Sequence, residues 1–558
     1  MRRVLLFLLV LAGIPADCQI PRPVVRDAIQ DVWRPLAFDQ QKLTGLLANR
    51  MRANVEGYLE HIHEEALLAS GESLGLFLQA ASDTYAYTHD FQLREVMDRV
   101  AEDFLSSNPS LPQPAATAEQ LQTASDELLG LLDYYAVTGD AGAFTESQKI
   151  GAALLATHPG PFDQPSPLEA LMALYRYQGD ERDLNFCRRL ADSWHLESGA
   201  QQGRWDSEHA RAILTNLVGL AKLYRATGDE SYLRPVIRMW QEIRARELSP
   251  TGTLFAPGNT SDCVTVAWMQ VSLELLRLTG QAQYANEQER TIYNQLLAAQ
   301  NAANGEIAAE VGVQGEKHFS GTPEPCSCAA SRGISLLPEL VWGRYARGIG
   351  ILQYSGGRAS FRLGHRGSIQ VYSEAAYPET GTILLHVDPV HPDRFPLFLR
   401  VPEWTTSFSA DIGNWHLLGK PGQFLTITRE WRRGDTVRIA INLDVRQKES
   451  SSAPLHAFAL QRGPQVLALT AELNPEWRIL SDAWIPGLNP ATIKINPVET
   501  RLPANWPGDQ AYSISGSQLI LVPFADATGA FTIWFKPTPL ASTSATLPHA
   551  APRAARSR

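Results

Sequence analysis

Cysteine is scarce in this chain: five in 558 residues, and one of them, Cys18, belongs to the N-terminal segment. The remaining four, Cys187, Cys263, Cys326 and Cys328, are too few for a disulfide scaffold. C-x-x-C pairs are missing, and with them a zinc ribbon. Positive charge is not concentrated. Lys and Arg number 49 against 59 Asp and Glu, and no basic block stands out before the last few residues, which excludes nucleic acid as the main partner. Beyond the first residues no apolar run is long enough to span a bilayer, so no membrane span is expected.

What is present begins with Arg2 and Arg3, an apolar run from Val4 to Ile14, and the small residue Ala16. This predicts a secretory signal over 1–18 and a secreted or periplasmic protein. Asp17 before Cys18 does not suit lipoprotein processing, which wants a small residue there.

A repeat fills the N-terminal two-thirds. Its copies read TYAYTHDFQL, YYAVTGDAGAF, LYRYQGDERDL, LYRATGDESYL and LLRLTGQAQYA. Their turn positions are His89, Gly139, Gly179, Gly228 and Gly280, about 50, 40, 49 and 52 residues apart, room for two helices and two connections each. Leu128, Leu131, Leu132 and Tyr135 follow the helical i, i+3, i+4, i+7 spacing, as do Leu168, Leu171, Met172 and Tyr175. The turn Gly suits a left-handed C-cap and the following Asp an N-cap. A sixth unit starts near Cys328. Stacked hairpins of this kind close into an (α/α)6 toroid or stay an open solenoid. The long connections, 105–118, 156–167, 195–208, 244–262 and 301–327, then share one rim, where function concentrates. From about Gly350 the segments SIQVYSEA, GTILLHVD, FPLFLRVP, FLTITREW and TVRIAINL read as an antiparallel β-sandwich. The expected domains are 19–348 for the helical barrel, 349–537 for the sandwich and 538–558 for a disordered tail.

Reactive residues fall on the long-loop rim: Glu72, His158, His209, Asp262, Cys263, Cys326 and Cys328. Three thiols and the Asp262 carboxylate could satisfy a four-coordinate zinc ion. The same cysteines equally suit a disulfide from Cys263 to one of the pair, or plain buried thiols. Cys187 reads as core packing, and His209 at a helix start as a cap or core residue. Trp194, Trp205, Trp268 and Trp342 are candidates for stacking on sugar or for the core.

The segments GESLGLFLQAA, LLGLLDYYAVTGD, HARAILTNLVGLAKLYRATGD, DCVTVAWMQVSLELLRLTG, ERTIYNQLLAAQ, FPLFLRVPEW and LQRGPQVLAL together resemble glycoside hydrolase family 127, the β-L-arabinofuranosidase-like proteins. The resemblance implies an (α/α)6 barrel with β-sandwich domains and cleavage of a terminal sugar from a glycan. It also implies a zinc-associated cysteine nucleophile, matched by Cys328 or else Cys326, with Cys263 and Cys326 on matched ligand positions; Cys328 and Asp262, from the reading of the residues, complete the expected metal ligands. His209, His158 and Glu72 would contact the substrate. Three family positions are not matched: Ser261 replaces a ligand glutamate, Ala329 a last cysteine, and Thr253 stands where the general acid is expected. Glu247, Glu310 and Glu316 are replacement acids within reach in sequence. Lyase chemistry in the same mouth, or glycan binding without turnover, are the alternatives. Oligomeric state is not legible.

Overall fold

Each turn of the repeat is a helix end. His89, Gly139, Gly179, Gly228 and Gly280 all adopt the left-handed conformation, and each donates its N–H to a carbonyl four residues back. Asp90, Asp140, Asp180 and Asp229 then cap the next helix through their side chains. The structure, a computed structural model, describes residues 21–537 other than 108, 197–204, 206, 255–260, 365–366, 450–452, 454–456, 476–486, 489–492, 499–507, 509 and 516–517. The expected signal segment, with Cys18, and the tail 538–558 lie outside the described residues.

The helical part opens with α1 (Leu46–Gly57) and the short α2 (Glu64–Leu68). Five hairpins follow: α3 (Gly71–Thr88) with α4 (Phe91–Ser106), α5 (Ala118–Thr138) with α6 (Ala141–Leu154), and α7 (Leu168–Gln178) with α8 (Glu181–Ser193). Then come α9 (Ala210–Thr227) with α10 (Glu230–Arg246), α11 (Asp262–Thr279) with α12 (Ala282–Thr291), and finally α13 (Pro325–Ser335). The odd-numbered helices from α3 onward form the inner wall. Each packs on the next, and α13 packs back on α3, so the ring is closed and the open solenoid is excluded. The approach of α3 to α5 needs glycine: a Cβ on Gly130 would lie 2.4 Å from the carbonyl oxygen of Gly75. The sixth outer position is filled by α1, from the start of the chain. Ser331 of α13 donates to Asn54 Oδ1 at 2.9 Å, and Asn54 donates back to the Ser331 carbonyl at 3.3 Å.

Residues 24–32 lie across the tight-turn rim. Val24 and Val25 donate to the Arg176 carbonyl, Ile29 to Arg225 and Val32 to Arg277, so three carbonyls at inner-helix C-termini gain a partner. The chain then gives an edge strand to each of two sheets. Trp33–Pro35 pairs with Trp342–Tyr345 in a five-stranded sheet, and Gln41–Thr44 pairs with Gly356–Phe361 in a seven-stranded one. The sandwich thus begins at Trp342 and recruits the N-terminal residues as well. Strands such as Ile369–Ala375 alternate buried and exposed residues, as a sheet covered on one face requires. A third sheet is built from residues 445–537.

Barrel and sandwich are joined through a buried ion pair. Arg400 and Glu289, both about fully buried, meet at 2.5 Å, and Tyr377 and Trp404 each donate to Glu289 at 2.7 Å. Every charged atom there has a partner, the condition under which buried charge is tolerated. Among the described residues no helix is long and apolar enough to cross a membrane.

Candidate active site

All six inner helices start on the long-loop rim, so their positive dipole ends face one mouth, and acidic side chains are favoured there. Glu72, in the first turn of α3, is ion-paired with Arg211 in the first turn of α9. Arg211 reaches across with its other nitrogen to Asp126 of α5, at 2.9 Å, and Asp126 also accepts from Gln122 at 3.0 Å. A carboxylate–guanidinium–carboxylate bridge therefore links three inner helices. Glu72 and Arg211 remain partly open, at 18% and 23% side-chain exposure, whereas Asp126 is nearly buried. Burial pushes the Asp126 carboxyl up to about 6 against the pull of Arg211, and Glu72 adds to the rise. Deeper on the axis, Asp83 and Asp133 are also raised by burial, with Arg332 opposing. Neither Asp126 nor Arg211 was expected from the sequence. The signal was the acidic pair Asp126 and Glu127 leading into the apolar run LLGLL of an inner helix, and an arginine two residues after His209.

The cysteines separate into two environments. Cys263 and Cys326 are joined by a disulfide, with Cα atoms 4.6 Å apart, tying the first turn of α11 to that of α13. Ser261 Oγ lies 3.1 Å from Cys326 Sγ. Cys328 stays free and fully buried, 3.4 Å from the Tyr58 hydroxyl, which also meets Ser327 at 2.8 Å. Burial pushes its thiol up to about 12, and the Tyr58 hydrogen bond offsets this only in part. At 3.6 residues per turn, positions 326 and 328 of a helix point about 200° apart. The C-x-C spacing, read as a ligand pair in sequence, divides the two thiols between opposite faces of α13.

Asp262 is also fully buried, and among the described residues neither of its carboxylate oxygens has a hydrogen-bond partner. Its carboxyl is raised well above the usual range by burial, with Glu310 adding and Lys317 opposing. The expected ligand set of Cys263, Cys326, Cys328 and Asp262 is therefore not assembled for zinc: two sulfurs are bonded to each other, the third faces Tyr58, and the carboxyl is buried. Among the described residues no three His, Cys, Asp or Glu side chains are arranged to hold a metal ion.

The remaining expectations divide. His209 is half-buried and occupies the position before α9, two residues from Arg211. His158 is exposed, with Nδ1 3.4 Å from the Pro114 carbonyl of the neighbouring rim loop. Thr253 is buried and bonded to Thr265 at 2.8 Å, so it offers no acid. Glu310 is exposed and bridges backbone to backbone with Ser261, beside the disulfide, while Glu316 is exposed and Glu247 closes α10. Trp194, Trp268 and Trp342 are core residues, and Trp205 is half-buried. Cys187 is core, as expected.

Comparison with known proteins agrees with this architecture. The family profile described as the β-L-arabinofuranosidase GH127 catalytic domain matches residues 41–340, and that of the GH127 middle domain matches 348–443. Among solved structures, the GH127 β-arabinofuranosidase BT3674 superimposes with a TM-score of 0.76 at 16% identity, over 91% of this chain and 98% of its own. Ara127N, a GH127 β-L-arabinofuranosidase from Geobacillus stearothermophilus T6, does so with a TM-score of 0.71 at 16% identity, over 89% of this chain and 100% of its own. No curated protein matches the chain.

Proposed function

Because the chain belongs to glycoside hydrolase family 127, the β-L-arabinofuranosidase family, we propose that it removes a terminal arabinofuranoside-type sugar from a glycan outside the cytoplasm. Hydrolysis of a glycosidic bond needs a proton for the departing oxygen and negative charge beside the oxocarbenium-like carbon. The observation that carries the reading is the Glu72–Arg211–Asp126 bridge at the mouth. Asp126 holds a proton up to about pH 6 and acts as the acid. Glu72, partly open and ion-paired with Arg211, stands at the developing positive charge. Arg211 orients both carboxyls and, with His209, binds sugar hydroxyls. His158 serves the outer part of the glycan. Cys328, the nucleophile that the family resemblance implies, is in this reading a packed thiol behind Glu72, because a buried and protonated sulfur neither reaches nor attacks the substrate. Export is supported by the signal-like residues 1–18 and by a disulfide, which persists where thiols are oxidised.

The test is turnover of an aryl glycoside panel by the full chain, with Glu72→Gln, Asp126→Asn and Cys328→Ala alongside. Release from arabinofuranosides, lost in the carboxylate variants and kept in Cys328→Ala, is the expected result. Loss in Cys328→Ala alone would return the chemistry to sulfur. An unsaturated, ultraviolet-absorbing product would make the protein a lyase, and glycan binding without any turnover would overturn hydrolysis.

A further inference from the structure

We propose that the Cys263–Cys326 disulfide is the permanent structural centre of this mouth, standing in place of a metal site. Three observations carry it. The bond joins the first turns of α11 and α13, neighbours in the inner ring, and so fixes the side of the mouth on which Cys328 and Arg332 lie. The third sulfur cannot enter a common coordination sphere with Cys326 while both sit in α13, because that helix turns them to opposite faces. The ligand positions that would compensate are filled by groups that suit the covalent arrangement: Ser261 lays its hydroxyl 3.1 Å from Cys326 Sγ, Ala329 has no donor, and Asp262 is fully buried with no hydrogen-bond partner for either oxygen among the described residues. Closing the bond converts two thiols to one S–S link. The two electrons and two protons pass to an external protein or small-molecule disulfide of an oxidising compartment, which becomes a dithiol. The inference is independent of what the mouth hydrolyses.

The experiment uses the full chain purified from an oxidising compartment without chelators. Its free thiols are alkylated in denaturant without reduction, the protein is digested, and the peptides are mapped by mass spectrometry while bound zinc is measured on the native protein. The expected result is a cross-linked peptide containing Cys263 and Cys326, with Cys187 and Cys328 alkylated and zinc well below one per chain. Melting temperature should be unmoved by a chelator and lowered by a reductant. Alkylation of both Cys263 and Cys326 without reduction would overturn the proposal, with or without zinc. So would stoichiometric zinc that is lost in Cys263→Ser. Should that variant fail to fold, stoichiometric zinc in unreduced wild-type protein, released by alkylating its thiols, overturns the proposal equally.

Discussion

The two rims of the toroid are made by the same helices and are held in opposite ways. On the tight-turn rim backbone groups are answered locally: a left-handed cap closes each of the five inner helices α3 to α11, an aspartate opens four of the outer ones, and residues 24–32 answer three more carbonyls. On the long-loop rim groups are tied across the ring: Arg211 joins the carboxylates of α3 and α5, a disulfide joins α11 and α13, and the Asp262 carboxyl has no hydrogen-bond partner among the described residues. Local satisfaction makes a rigid end. Satisfaction at a distance leaves side chains converging on a space where a substrate can compete for them.

The sharpest way to separate the rims is to remove charge from the mouth. Glu72→Gln and Asp126→Asn should each lower kcat/KM by ~10²–10⁴-fold with little change in melting temperature. The pH profile adds a sign. Asp126 must be protonated to act, so activity should fall as pH rises through about 6, and this limb should vanish in whatever activity Asp126→Asn retains. The same raised carboxyl binds its proton more tightly folded than unfolded. Its contribution to stability is therefore present at low pH and lost as pH rises from the ordinary carboxylate range to about 6. Stability of wild type and Asp126→Asn measured across this range by denaturant melts checks the second half.

Next in size is the covalent link. Reducing Cys263–Cys326 frees a loop of 63 residues in the unfolded chain and should cost about 2–4 kcal/mol in denaturant melts. Gly280→Ala, on the other rim, should cost at least about 1–2 kcal/mol from its left-handed backbone alone. Its new Cβ would also lie 2.5 Å from the Tyr345 ring and 2.6 Å from Val32. Activity per folded molecule should stay unchanged there, which is what distinguishes the two rims. A fall in activity beyond the folded fraction would mean that they are coupled.

This difference also explains what could be read without the structure. The turns at Gly139, Gly179, Gly228 and Gly280, and even His89 in place of glycine, were legible because a cap depends on a few adjacent residues. Ring closure through α1 was not, because α1 carries no copy of the repeat and its partner α13 lies some 277 residues on, as the Asn54–Ser331 contact shows. The Glu289–Arg400 junction was visible only as the segments ERTIYNQ and FPLFLRVPEW, with nothing to say that they meet. At the mouth, Glu72, His209 and the cysteines were found by residue type. Asp126 and Arg211 were missed because each takes its meaning from a partner on another helix. The sequence left the cysteines open between metal and disulfide, since both uses need the same atoms near one another.

The smallest effect tests the local rule where the molecule itself breaks it. The hairpin of α11 and α12 begins its outer helix at Gln281, whose side chain caps nothing, whereas Asp229 in the preceding hairpin accepts from the backbone N–H of Ser231. The backbone is already set for a cap: Gln281 has φ −78° and ψ 133°, beside −70° and 126° for Asp90. Gln281→Asp should therefore gain about 0.5–1 kcal/mol. It gives up one exposed hydrogen bond from Gln283, which offsets little. Asp229→Ala should lose about 1 kcal/mol by the same reasoning. If both changes appear in thermal melts with kcat/KM untouched, the tight-turn rim is stabilised one cap at a time. If Gln281→Asp gains nothing, the segment at Val32, which already answers the Arg277 carbonyl beside this turn, is what holds the hairpin there.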